Sequence, residues 1–451
     1  MPLDSEDEAE LLENVTEIME KLTNELDELY AVRDLFFETN PIEKASEKHK
    51  CIEEKKMALI EKFESIDVDT QIPFSLRGQF LYLKGKCYNI TTAYDSRATQ
   101  CLSKAVKLNP HLVDAWNELG ECYWKNMNMK EAKASFEGAL KHQRNRVTLR
   151  SLSIMLRQES KAMKHAESKA AVLQSVELAK EAVAQDIKDG ISWTVLGNAY
   201  LCQYFGVTQD PETLKLCMSA YGQAWLDPVA RGQPDLYYNK GIALRYDERF
   251  EEALKTFEHA SRLDPAWSVA VHEQKQLAHF LTAATEIVAT RGKLKTKKIT
   301  QMVQSIDEKM LGPYGPGTFH TFGTRTNVSL TRVQLSELQE GPNEGKVVLG
   351  RVVGSVHSEN CVPFAFALVD SSMQCVCVLV YNWAGGRGAI IGDCVALPEP
   401  RLSSHRHSSH LAKYDFKSIR VNNPTSLIVN GKRVSRQQVA CTRAAATYEP
   451  H

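Results

Sequence analysis

The sequence predicts an α+β multidomain chain, an all-α superhelical solenoid followed by a small β-barrel, and three observations predict it. From Glu6 to about Ala289 apolar residues recur three and four apart, the helical period, with prolines as breakers. Within that stretch one helix-pair pattern recurs with small residues at fixed places. After Leu311-Gly-Pro-Tyr-Gly-Pro-Gly317 the period shifts toward two, as in strands.

The recurring pattern is clearest at Trp116-x-x-Leu119-Gly120-x-x-Tyr123, followed by Ala132, Phe136 and Ala139. A second gap-free copy carries Tyr237, Gly241, Ala253, Phe257, Ala260 and Pro265. A third begins Trp193-x-x-Leu196-Gly197-x-x-Tyr200 and resumes at Tyr221 and Ala224 after an insertion. A fourth runs from Gly85 and Tyr88 to Ala98, Leu102, Ala105 and Pro110. A degenerate unit places Leu149, Leu152, Ser153 and Leu156 on its first helix and Ala179 and Ala182 on its second, with Ser160 to Ala170 as a polar excursion. This is the tetratricopeptide (TPR) pattern. Small residues let two helices approach closely, large ones fill the space toward the next pair, and stacking is compulsory because one pair cannot bury its faces alone. About five to six repeats are expected. Residues 1–70 would supply a first repeat or a cap, and 71–290 the array with its capping helix. Residues 291–322 read as a basic, Gly/Pro linker, 323–436 as the barrel, and 437–451 as a flexible tail.

In the barrel, strands are expected at Val328–Leu335, Val347–Val356, Phe364–Val369, Val376–Tyr381, Val395–Leu397 and Leu427–Val429. Glycines at 350 and 354 bend the first long strand, Asp370 closes a hairpin, and Gly392-Asp393-Cys-Val395 enters another strand. That sequence of features is similar to the five-stranded OB-fold.

Composition bounds the function. The 451 residues carry 55 Lys and Arg against 56 Asp and Glu, so the net charge makes no global case for nucleic acid or membrane. The charges are segregated instead: residues 4–28 are acidic, and Lys293, Lys295, Lys297 and Lys298 form a basic run. Eleven scattered cysteines without a Cys-x-x-Cys pair fit reduced thiols, hence cytoplasm and nucleus. With no N-terminal apolar core and no long apolar run, neither secretion nor membrane spanning is expected. Phosphate-cradling, metalloprotease and nucleophile-elbow motifs are absent from the sequence, so no enzyme, catalytic residue or cofactor is expected.

Function is expected in the groove, which the first helix of each repeat lines. The repeat register places Asn117, Glu121, Arg150, Arg157, Asn198, Asp235, Tyr238 and Arg245 there. Such a mixed surface suits an extended peptide of both signs: Asn117 and Asn198 bond its backbone, and Arg150 takes a carboxylate bidentately. The basic run offers four ammonium groups to a polyanion or serves as a nuclear-localisation signal. On the barrel, Phe364, Phe366, Tyr381 and Trp383 are stacking candidates if they are not core. His405, His407 and His410 are assigned to the loop before the last barrel strand, and no metal site is expected there.

Over nearly the whole chain the sequence resembles the Strap family, the stress-responsive tetratricopeptide cofactors (tetratricopeptide repeat protein five). The resemblance rests on residues 145–158, 263–267, 292–298, 362–364 and 391–393, while the first 70 residues and the last 15 add little. It implies two kinds of partner. One is nascent tubulin at the ribosome, its N-terminus recognised to trigger tubulin mRNA decay, with ribosomal RNA on the basic run. The other is a transcriptional acetyltransferase complex in the nuclear stress response. Two rivals stand beside this: a reader of single strands or DNA through the barrel, with possible weak nucleic-acid contact there, and a co-chaperone with a carboxylate clamp, for which the Lys and Asn set is incomplete.

Overall fold

The computed structural model describes residues 5–356, 363–384 and 388–439. It divides into two compact units, one up to Val271 and one from His272.

The first unit is helical. A long helix, α1 (Ser5–Asp34), and α2 (Ala45–Glu64) pack ahead of five helix pairs. The pairs are α3 (Phe74–Tyr88) with α4 (Ser96–Leu108), α5 (Val113–Lys125) with α6 (Met129–His142), α7 (Arg146–Ser160) with α8 (His165–Gln185), α9 (Gly190–Gln203) with α10 (Pro211–Ala224), and α11 (Pro234–Tyr246) with α12 (Phe250–Leu263). Side-chain caps start several of them: Asp95 accepts from Arg97 N, Asn145 from Thr148 N, and Asp210 from Glu212 N ahead of Pro211. The small residues do what the pattern requires. A Cβ on Gly120 would lie 2.6 Å from Phe136, on Gly197 2.5 Å from Tyr221, and on Gly241 2.7 Å from Phe257. Each glycine is the floor on which an aromatic ring of the paired helix rests.

The two insertions take different forms. After α9 the chain makes a π-turn, Tyr204–Thr208, before Pro211 opens α10. The polar excursion expected over Ser160 to Ala170 is smaller than that, because α8 starts at His165 and runs 21 residues. The extra residues lengthen a helix instead of forming a loop.

A helix, α13 (Ser268–Ala289), with all but its first four residues in the second unit, leads to α14 (Thr296–Gln304) and a six-strand core. The strands are β1 (Lys346–Val356), β2 (Phe364–Val369), β3 (Cys375–Val380), β4 (Cys394–Pro398), β5 (Arg401–Ser408) and β6 (Lys413–Val421). Their order is β4-β1-β2-β3-β6-β5, with β6 parallel to β3, Ser418 opposite Cys377. Only Glu399, at positive φ, and Pro400 separate β4 from β5. Together these make one kinked strand that pairs with β1 at one end and β6 at the other, closing the five-stranded OB barrel.

Two sequence expectations do not hold here. Two of the three histidines assigned to a loop lie elsewhere: His405 and His407 are on β5, while His410 is in the turn before β6, Ser409–Ala412. The segment expected as a linker is packed. Ile299 is buried with Val353, Ala367 and Val369, and Leu311 and Tyr314 with Val347, Leu349 and Ile428. Its glycines are the means. Gly292 (φ 70) and Gly312 (φ 56) adopt left-handed backbone, and a Cβ on Gly292 would overlap the Val353 carbonyl oxygen.

Candidate functional site

The first helices of the pairs carry the groove residues, and α1 adds two that the repeat register missed. On α5, Glu118 accepts from Asn89 Nδ2 at 2.7 Å and Glu121 from Lys125 Nζ at 2.7 Å, while Lys125 also donates to the Asn89 carbonyl. From α1, Tyr30 Oη donates to the Lys86 carbonyl and Arg33 to Asp34 and the Ile90 carbonyl. Burial first, then the neighbouring Glu121, pushes the Glu118 carboxyl up. Its partner Glu121 is held down, as the Lys125, Arg33 and Arg150 charges outweigh its burial. The carboxylate pair therefore favours a further cation beside it.

Facing this wall is Arg150 on α7. Its Nη1 donates to Asp189 Oδ2 at 2.8 Å, and its side chain is 23% exposed. Asp189 also accepts from Ser192 Oγ and forms an ion pair with Arg146 Nε at 3.4 Å, so it holds Arg150 while sharing its charge. Burial lowers the Arg150 guanidinium, and Asp189 and Glu121 oppose that shift. A guanidinium fixed at one nitrogen and half-buried keeps its other donors for a ligand carboxylate.

Other groove assignments meet a different fate. Arg157, expected to face a peptide, is buried at 2% exposure; Nη1 donates to Ser153 Oγ at 2.7 Å and neither Nε nor Nη2 has a partner. Asn117 is buried too, donating to Asn145 Oδ1 and accepting from Thr148 Oγ1. Asn198 is occupied by the Tyr221 hydroxyl at 2.8 Å. Asn117 and Asn198 brace one helix against the next, because at their depth the neighbouring helix supplies the partner, whereas Arg157 is held by Ser153 one turn back on its own helix; none of the three faces a ligand. Tyr238 is buried with its ring 4.8 Å from Trp267. Asp235 stays half-exposed at the start of α11, where burial pushes its carboxyl up to about 6. Arg245, on the same helix, is half-buried.

In the second unit Lys293, Lys295, Lys297 and Lys298 are all exposed, Lys293 pairing with Glu286 at 2.8 Å. Lys295 caps α14, and Lys297 and Lys298 lie in its first turn, where the helix dipole disfavours cations. Of the barrel aromatics, Phe366, Tyr381 and Trp383 are core residues and Phe364 packs on Phe366 and Trp383. His405 donates to or accepts from Ser418 Oγ at 2.8 Å, and burial pushes it down to about 4. Among the described residues no group of three or more His, Cys, Asp and Glu could hold a metal ion, and no helix is long and apolar enough to cross a membrane.

A helical-repeat unit with a charged inner wall, joined in one chain to an OB barrel, defines a scaffold that binds protein partners. The model of the tetratricopeptide repeat protein 5 OB fold domain matches residues 329–443, and the tetratricopeptide repeat model matches 113–145 and 234–266. Tetratricopeptide repeat protein 5 of Bos taurus is 42% identical over 96% of this chain and 97% of its own, and that of Homo sapiens 41% over the same shares. The chain belongs to the tetratricopeptide repeat protein 5 family. Among solved structures, the TPR protein YrrB, described as having an unusual peptide-binding site, is 21% identical over 49% of this chain and 97% of its own, at a TM-score of 0.31. The Cut9-Hcn1 assembly of APC/C is 14% identical over 57% of this chain and 49% of its own, at 0.40.

Proposed function

We propose that the groove reads a short peptide bearing a carboxylate next to a cation, and that this peptide is the N-terminus of nascent tubulin, Met-Arg-Glu followed by an apolar residue or Cys. Recognition at the ribosome then leads to tubulin mRNA decay. The observation that carries the reading is Arg150, half-buried and pinned by a single nitrogen, opposite the Glu118 and Glu121 wall. In an extended strand, successive side chains point to opposite sides, so an Arg-Glu pair can meet both walls at once. The exposed lysines at 293–298 suit ribosomal RNA, since two of them, Lys297 and Lys298, sit in a helix's first turn, where a cation is disfavoured by the helix dipole. A second, nuclear role as cofactor of a transcriptional acetyltransferase in the stress response is compatible with the same scaffold. The rival single-strand reading through the barrel has little support, because the stacking candidates are spent in the core.

The test is a pull-down of ribosomes carrying tubulin nascent chains, beside a gel shift with a single-stranded oligonucleotide. Capture of ribosomes, lost when Lys293, Lys295, Lys297 and Lys298 become Glu and falling steeply with salt, is expected. Unchanged capture by the Glu variant would reduce the run to a structural segment. A tight oligonucleotide shift without ribosome capture would favour the rival.

A further inference from the structure

We propose that residues 30–44 clasp the two ends of the repeat array together, so that the groove is the inside of a ring and admits a peptide by its free end. The inference rests on the peptide reading above and deepens it. Contacts between elements run in a closed circuit: α2 touches α3, the pairs follow one another to α12, and α12 touches the turn Ile42–Lys44, which returns to α2. The stretch between α1 and α2 makes this closure. At its start, Tyr30 and Arg33 bond the Lys86 and Ile90 carbonyls beside α3. Further along, Glu38 pairs with Arg231 at 2.8 Å and Glu43 with Arg262 of α12 at 2.8 Å, partners 193 and 219 residues away in sequence. A Cβ on Gly232 would lie 3.6 Å from the Asp34 carbonyl oxygen, and Lys48 lies in the field of Asp34 and Asp264.

An open solenoid leaves its two ends to solvent, and a ligand then lies in the groove from the side. Here residues 30–44 join those two ends. A chain end can thread past Arg33, whose charge already acts on Glu121, whereas a motif inside a folded chain must wait for the clasp to open. The Glu43–Arg262 pair is mostly exposed, at 69% and 51%, and pairs of that kind contribute little and weaken with salt. The closure is therefore reversible, although Phe36 within the stretch is buried.

Two fluorescent probes test this on the full-length chain: Met-Arg-Glu-Ile with a free N-terminus, and the same motif held between two folded domains. Hydrogen exchange over residues 34–44 is read in parallel. Wild type should bind the free-ended probe at least about tenfold more tightly. Arg231→Glu with Arg262→Glu should open the clasp, speed exchange over 34–44 and let the internal probe bind; adding Glu38→Arg and Glu43→Arg should restore both. Equal binding of the two probes by wild type would overturn the proposal, as would a charge reversal that alters neither exchange nor preference. If neither probe binds wild type, the peptide reading fails instead; faster exchange on reversal and its rescue would still support the ring, and unchanged exchange would overturn it.

Discussion

Arg150 and Arg157 lie seven residues apart on one stripe of α7, yet only Arg150 is placed to meet a ligand. The stripe was legible, because seven residues are almost two helical turns. Depth was not, because it is set by α9 and α10, whose Cys202 and Tyr221 act on Arg157. Asn117 and Asn198 were misassigned for the same reason, and Glu118, Tyr30 and Arg33 were missed because they fall outside the repeat's groove positions. His405 allows a test at this scale. Burial holds its folded value near 4, below the ordinary value of 6.5, so the neutral ring is favoured in the fold. Its contribution is complete above about pH 6.5, where the unfolded ring is also neutral, and is lost as pH falls toward 4, by up to about 3 kcal/mol. In urea unfolding followed by the barrel's strand signal, wild type should lose stability relative to His405→Asn over that window. Parallel pH profiles for the two proteins would contradict the assignment.

At the level of elements, the helix pairs were readable because Gly120, Gly197 and Gly241 announce ring contacts that nothing larger could accommodate. The barrel was read in part. Its strands β1 to β4 are continuous apolar runs, but β5 and β6 alternate outward Arg, Lys, Asp and Ser with more buried Leu402, His405, His407, Tyr414 and Phe416, and that polarity read as loop. Residues 291–314 were misread through their glycines. A Gly/Pro-rich stretch predicts a linker when only propensity is counted, whereas here Gly292 and Gly312 supply positive φ and close backbone approach. Limited proteolysis of wild type should therefore spare residues 291–314. Gly292→Ala, which drives a methyl into the Val353 carbonyl at a strained φ, should expose the segment to cleavage between Arg291 and Lys298. Equal protection of both proteins would mean that the packing tolerates a side chain there.

For the whole molecule, the repeat register located the face proposed to read a peptide but could not show that residues 30–44 reach the far end of the array, since partners 193 and 219 residues apart leave no local signature. The central claim is that this face reads a carboxylate through Arg150. It is tested most directly by fluorescence anisotropy of a labelled Met-Arg-Glu-Ile peptide against wild type, Arg150→Ala and Arg150→Lys, with melting temperatures alongside. A charge-assisted contact contributes about 1.5–3 kcal/mol, so Arg150→Ala should bind roughly tenfold or more weakly. Arg150→Lys should also fall well short, because one ammonium held by Asp189 cannot replace the remaining edge of a planar fork. Folding stability should remain close to wild type in both. Wild-type affinity in Arg150→Ala, or a loss that simply follows a fall in melting temperature, would contradict the account.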